Sequence, residues 1–120
     1  MERKYRLRLN ADFQRVRKTG RSWANQLMVL CALPNNLEHS RFGFAASKRI
    51  GKAVVRNRVR RRMREAVRLR RASVVEGWDM IFIARSAIAV TTYTEIARAA
   101  EDLLRRANLF KSLNSENESR

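Results

Sequence analysis

The chain of 120 residues holds one cysteine, Cys31, and one histidine, His39. That scarcity excludes an internal disulfide and a zinc site built from Cys and His ligands of one chain. Cys31 has no evident dyad partner and reads as a small core residue of a strand. The eleven acids are few and scattered, among them Glu2, Asp12, Glu38, Glu65, Glu76 and Asp79, then Glu95, Glu101 and Asp102 on the solvated face of a final helix. Protein nucleases need positioned acid–base pairs or carboxylates clustered around Mg²⁺, and this pattern supplies neither. There is no apolar run near the roughly 20 residues of a transmembrane helix and no signal-peptide pattern, so a cytoplasmic location is expected. The sequon Asn117-Glu118-Ser119 is accidental in that setting.

What is present is positive charge. The formal net charge is +16, and self-repulsion on that scale disfavours a compact chain unless a polyanion neutralises it. The partner this implies is nucleic acid. A hydrophobic content of 45% is nevertheless ordinary for a folded protein, so the charges decorate a core. The length suits one domain over residues 1–110, followed by a polar, disordered tail over 111–120.

The basic arm of residues 1–9 is expected to be flexible or extended. Asn10 is placed to cap a short helix from Ala11 to Lys18, with Phe13 and Val16 on one face. Leu27 to Leu33 reads as a strand ending at Pro34-Asn35-Asn36. In Arg41 to Ser47, bulky Phe42 and Phe44 alternate with Gly43 and Ala45, which predicts a strand with one face nearly bare. A helix over Val54 to Arg71 turns Val55, Val59, Met63, Ala66 and Val67 to one side. Trp78 to Ala84 suits a central strand. Tyr93 to Leu109 suits a last helix opened by a Thr92/Glu95 capping box. The order α-β-β-α-β-α predicts an α+β fold, a small sheet with helices on one face.

The segment Lys48 to Arg71 carries twelve Lys or Arg against the single acid Glu65. Like charges one helical turn apart repel by a few tenths of a kcal/mol per pair, so this helix opposes itself unless an anion intervenes. Arginine forks suit phosphate oxygens, and each neutralised phosphate releases counterions. Arg56, Arg60, Arg61 and Arg64 share one arc and are expected to meet phosphates. Arg62 falls near the apolar stripe, where it is expected to snorkel outward.

Ser47-Lys48-Arg49-Ile50-Gly51-Lys52-Ala53-Val54-Val55-Arg56-Asn57-Arg58-Val59-Arg60-Arg61 resembles the signature of the bacterial ribonuclease P protein family. The likeness extends from Arg6–Phe13 through Arg41-Phe42-Gly43 to Trp78-Asp79 and Ile83-Ala84-Arg85. It implies an α/β sandwich with a mixed sheet and a left-handed βαβ crossover, as in ribosomal protein S5 domain 2. It also implies a protein without catalytic residues or a cofactor of its own, assisting a catalytic RNA that uses Mg²⁺ to remove the 5′ leader of precursor tRNA. The implied partners are that RNA and precursor tRNA, with no membrane and no required protein partner. Carried over by position, Lys48, Arg49, Lys52, Arg56, Asn57, Arg58, Arg60, Arg61, Arg64 and Arg68 would dock on the catalytic RNA. Phe13, Arg17, Val29, Cys31, Ala45 and Ser47 would line a cleft for the single-stranded leader. Phe13 would either stack on a leader base or pack on the sheet as a core aromatic. Arg17 stands where many relatives carry an aromatic, which implies less stacking and more phosphate contact. A structural ribosomal protein is the main alternative on charge and size. A DNA-binding recognition helix is weaker, for lack of a helix-turn-helix partner.

Overall fold

A computed structural model of the protein describes residues 1–111. The elements in chain order are α1 (Asn10–Thr19), β1 (Arg21–Ala24), β2 (Met28–Pro34), β3 (Arg41–Ala45), α2 (Ala53–Arg70), β4 (Trp78–Ala84) and α3 (Tyr93–Arg106). The strands form one sheet in the order β1-β2-β4-β3. β2 is antiparallel to both β1 and β4, whereas β3 and β4 are parallel neighbours joined through α2. That βαβ unit is the one to which the family resemblance assigns its crossover.

Alternation along the strands sorts the core into two layers. Met28, Leu30, Ala32, Phe42, Met80 and Phe82 point to one face, where they meet Val59, Met63 and Val67 of α2 and Ile96, Leu103 and Leu104 of α3. Cys31 and Ile81 point to the other face and meet Val16 of α1 and Leu7. The two inner strands are therefore apolar on both sides, as strands covered on both faces must be. Helices on one face describes α2 and α3; α1 crosses the opposite one. It does so because Phe13 and Val16 give it an apolar stripe that α2 and α3 leave no room for on the larger core.

Three local expectations change. β1 is an additional strand: its four residues are mostly exposed and show no alternation, so the periodicity gives no sign of it. Asn10 lies inside α1, where Leu9 holds the cap position without a side-chain cap. α3 ends at Arg106, because Asn108 adopts a left-handed φ of 60°. The Leu109 N–H then donates to the Leu104 carbonyl at 2.9 Å, the closing bond of a helix C-terminus. The Thr92/Glu95 cap forms as read, with the Glu95 N–H donating to Thr92 Oγ1 at 3.2 Å.

The basic arm is docked. Arg6 forms a parallel bridge with Phe42, and the Leu7 N–H donates to the Phe42 carbonyl at 2.8 Å. The arm thus closes the outer edge of β3, with Leu7 buried beneath it. Of the tail expected over 111–120, all but Lys111 lies outside the described residues.

Gly43 sets the seat of α1. A Cβ there would stand 2.5 Å from Phe13 Cζ, because the ring rests directly on the glycine. Gly43→Ala should force the ring aside and cost about 1–2 kcal/mol, read as a lower urea midpoint at unchanged m-value.

Candidate nucleic-acid interface

The buried side of α2 (Val59, Met63, Ala66, Val67) fixes the direction of every other residue on the helix. Its start is set by a 3-10 turn over Lys48–Ile50 and by Gly51, whose φ of 147° is open to glycine without strain. The cations then fall into three groups.

Arg56, Arg60 and Arg64 recur every fourth residue along the flank facing β3. Arg56 Nη1 donates to the Gly51 carbonyl at 3.2 Å. Arg60 donates to the Ala46 carbonyl at 3.4 Å and to Asn57 Oδ1. The Arg64 guanidinium lies 5.8 Å from the Phe44 ring centroid. Burial, then the charges of Arg6 and Arg60, lower the Arg64 pKa from its ordinary value.

Arg58 and Arg62 occupy the other flank and face the segment before α3. Arg58 donates to the Ala89 carbonyl and Arg62 to the Thr91 carbonyl, each at 3.4 Å. Arg58 Nε is buried without a partner. Arg62 therefore ends on the Thr91 carbonyl beside the core, which accounts for a cation so near the apolar stripe.

Lys48, Arg49, Lys52, Asn57 and Arg61 are exposed at the N-terminal half of the helix and its lead-in. None of these, nor Arg56, Arg60 or Arg64, has a carboxylate partner among the described residues. The C-terminal half differs. Arg68 pairs with Glu65 at 2.5 Å, and Arg70 reaches Glu101 of α3 at 3.1 Å. Exposed pairs of this kind add little stability, but they leave the unneutralised charge concentrated at one end of α2.

On the opposite face α1 covers only part of the sheet. Phe13 sits on Gly43, while the next row, Val29, Ile83 and Ala45 in register across β2, β4 and β3, stays half-exposed. Arg17, one turn beyond Phe13, is exposed above Cys31. Burial raises the Cys31 thiol pKa and the Arg17 charge opposes that rise. The structure thus gathers Phe13, Arg17, Val29, Cys31 and Ala45 around one trough. Ser47 lies past the end of β3, in a cavity of about 460 Å³ shared with Arg49, Gln26 and Arg85. Phe13 is half-buried and packed, so Arg17 is the freer side chain on that wall.

Asp79 holds α1 in place, which the sequence reading missed. It is fully buried at the start of β4. Arg41 donates through Nε to Oδ1 at 2.9 Å and through Nη2 to Oδ2 at 2.7 Å. Arg15 of α1 donates to Oδ2 at 2.8 Å, and Asn35 to Oδ1 at 2.9 Å. Burial alone would raise the Asp79 pKa and is the largest single influence, but the bonds from Arg41, Asn35 and Arg15 together hold it below the usual carboxylate value. The available signal was an acid inside an otherwise apolar strand, which demands compensation.

A small sheet between an arginine-faced helix and a half-open trough defines a basic α+β protein built to hold nucleic acid. The sequence matches the family model described as Ribonuclease P over residues 1–108. It is 48% identical to the ribonuclease P protein component of Roseiflexus castenholzii, over 97% of this chain and 96% of that one. It is 41% identical to that of Herpetosiphon aurantiacus, over 92% and 89%. A Staphylococcus aureus RNase P protein, a mutant with defective mRNA degradation activity, superposes with a TM-score of 0.85 at 38% identity, covering 92% of this chain and 93% of that one. The Thermotoga maritima RNase P protein superposes with a TM-score of 0.78 at 30% identity, covering 84% and 96%. The chain belongs to the bacterial ribonuclease P protein family. None of these matches favours a ribosomal protein.

Proposed function

We propose that this chain is the cytoplasmic RNA-binding subunit of ribonuclease P, acting with a catalytic RNA to remove the 5′ leader from precursor tRNA. The observation that carries this reading is the array of carboxylate-free cations on and before α2. Arg56, Arg60, Arg61 and Arg64, with Lys48, Arg49, Lys52 and Asn57, suit the phosphates of a folded RNA. Arg68 has Glu65 as an internal partner, and Arg58 is turned toward Ala89, so both contribute less.

The trough suits a single strand. Val29, Ile83 and Ala45 give an apolar floor for unpaired bases, and Arg17 gives a cation for the backbone running above it. Asp79, by fixing α1, keeps the trough at one width. Phosphodiester hydrolysis belongs to the RNA and its Mg²⁺; the residues of this chain neutralise phosphates and orient the leader.

Precursor-tRNA cleavage by the cognate RNA at low Mg²⁺, with and without the protein, tests the proposal. Added protein should restore cleavage that the RNA alone loses as Mg²⁺ is lowered. Cleavage by the polypeptide without RNA, or failure to bind the RNA in near-physiological salt, would overturn it. Arg61→Ala, at an exposed residue, should also flatten the log–log salt dependence of RNA binding by about 0.7–0.9.

A further inference from the structure

The docked arm places a third arginine beside two that α2 already leaves without counter-charge. Arg6 bridges Phe42 in parallel, and paired residues on adjacent strands point to the same face. Phe42 lies in the layer covered by α2 and α3, so Arg6 emerges on that side. Leu7 alternates to the other layer, with Val16 and Ile81. The arm is also held at Tyr5, whose ring lies 3.9 Å from the Arg71 guanidinium.

On the same side, two residues along β3 from Phe42, Phe44 is half-exposed beneath Arg64, with Arg60 one helical turn earlier. Phe44 is itself stacked on buried Phe82 at 5.7 Å, which fixes the floor. The three guanidiniums form no ion pair among the described residues; Arg6 Nε donates to the Met1 carbonyl at 3.0 Å and Arg60 to the Ala46 carbonyl at 3.4 Å, contacts that leave the charge of each unneutralised. Arg64 feels the charges of both Arg6 and Arg60. Elsewhere this fold gives converging arginines a carboxylate, as Arg15 and Arg41 have in Asp79. Here it supplies none, although Arg6 could point away from the helix were its strand partner one residue along.

We infer that Arg6, Arg60 and Arg64, around Phe44, form a site for a phosphate of the RNA backbone, completed when the N-terminal arm docks on β3. The inference rests on the RNA-binding reading of α2 and adds the arm and the β3 edge to that surface. It makes arm docking and RNA binding mutually favourable: the bound phosphate removes the repulsion that opposes docking.

The test uses the full-length protein, ribonuclease P RNA and, separately, precursor tRNA. Arg6→Gln should reduce the salt slope of binding to one of these RNAs by about 0.7–0.9, so that the affinity gap from wild type shrinks about threefold between 50 and 200 mM salt. Arg6→Lys should retain the slope. Arg98→Gln, on the exposed side of α3, removes the same net charge and should leave the slope alone. Pairing Arg6→Gln with Arg64→Gln should cost less affinity than the product of the two single losses, as expected for one shared phosphate. An unchanged slope for Arg6→Gln on both RNAs, with Arg61→Ala still lowering it, overturns the site while the proposed function stands. Unchanged slopes for both variants overturn the two together.

Discussion

Asp79→Ala should destabilise the fold by about 3 kcal/mol, the low end of the range for breaking a buried ion pair because Arg15 and Arg41 keep access to water. For a domain of this size that is a fall of roughly 10–15 °C in Tm. Three elements lose a common anchor at once: α1 through Arg15, β3 through Arg41 and the turn after β2 through Asn35. The pH dependence follows from the direction of the shift. The Asp79 carboxyl titrates lower folded than unfolded, so its stabilisation is present above the unfolded value of about 4 and is lost as pH falls through the folded value. Denaturation of wild type and variant should therefore differ most near neutrality and converge below pH 4. A gap that persists undiminished in acid would show that packing, not charge, is what Asp79 contributes.

Arg56→Ala, Arg60→Ala and Arg61→Ala combined should weaken RNA binding about 10²- to 10⁴-fold near 0.15 M salt, since each charge-assisted bond contributes on the order of 1–2 kcal/mol. The salt slope should fall by about 2–3. The free protein should melt no lower than wild type, because three mutually repelling charges leave the same half of one helix. Filter binding across a salt series reads the first two effects and thermal denaturation the third. A loss of affinity that does not depend on salt would point to misfolding instead of lost phosphate contacts.

Some of this organisation was legible in the residues and some was not. α2 and β4 follow from patterns that depend on their own sequence, a 3.6-residue stripe and a continuous apolar run. β1 and the docking of the arm depend on partners: both are short, polar segments whose backbone bonds are satisfied by β2 and β3. A helical projection sets Arg62 beside the apolar stripe, and the family motif groups Arg58 with Arg56 and Asn57. Neither can show that the segment before α3 packs over that flank and buries Arg58 Nε, and this separates Arg58 from Arg56 and Arg60. The bare face at Gly43 and Ala45 was readable as a sheet surface. That Phe13 fills the Gly43 position and leaves the row at Ala45 open required the register. Asp79 was visible as a residue and invisible as an anchor, because its partners lie far apart in the chain.

The crowding of like charge along α2 makes the durability of the folded chain a function of its company. An RNA that seats on the arginines binds the native arrangement more tightly than the unfolded chain, and at a concentration of a hundred times Kd it deepens the native well by at most about 2.7 kcal/mol. A copy without RNA is correspondingly easier to open and to degrade, so assembly itself selects which copies persist.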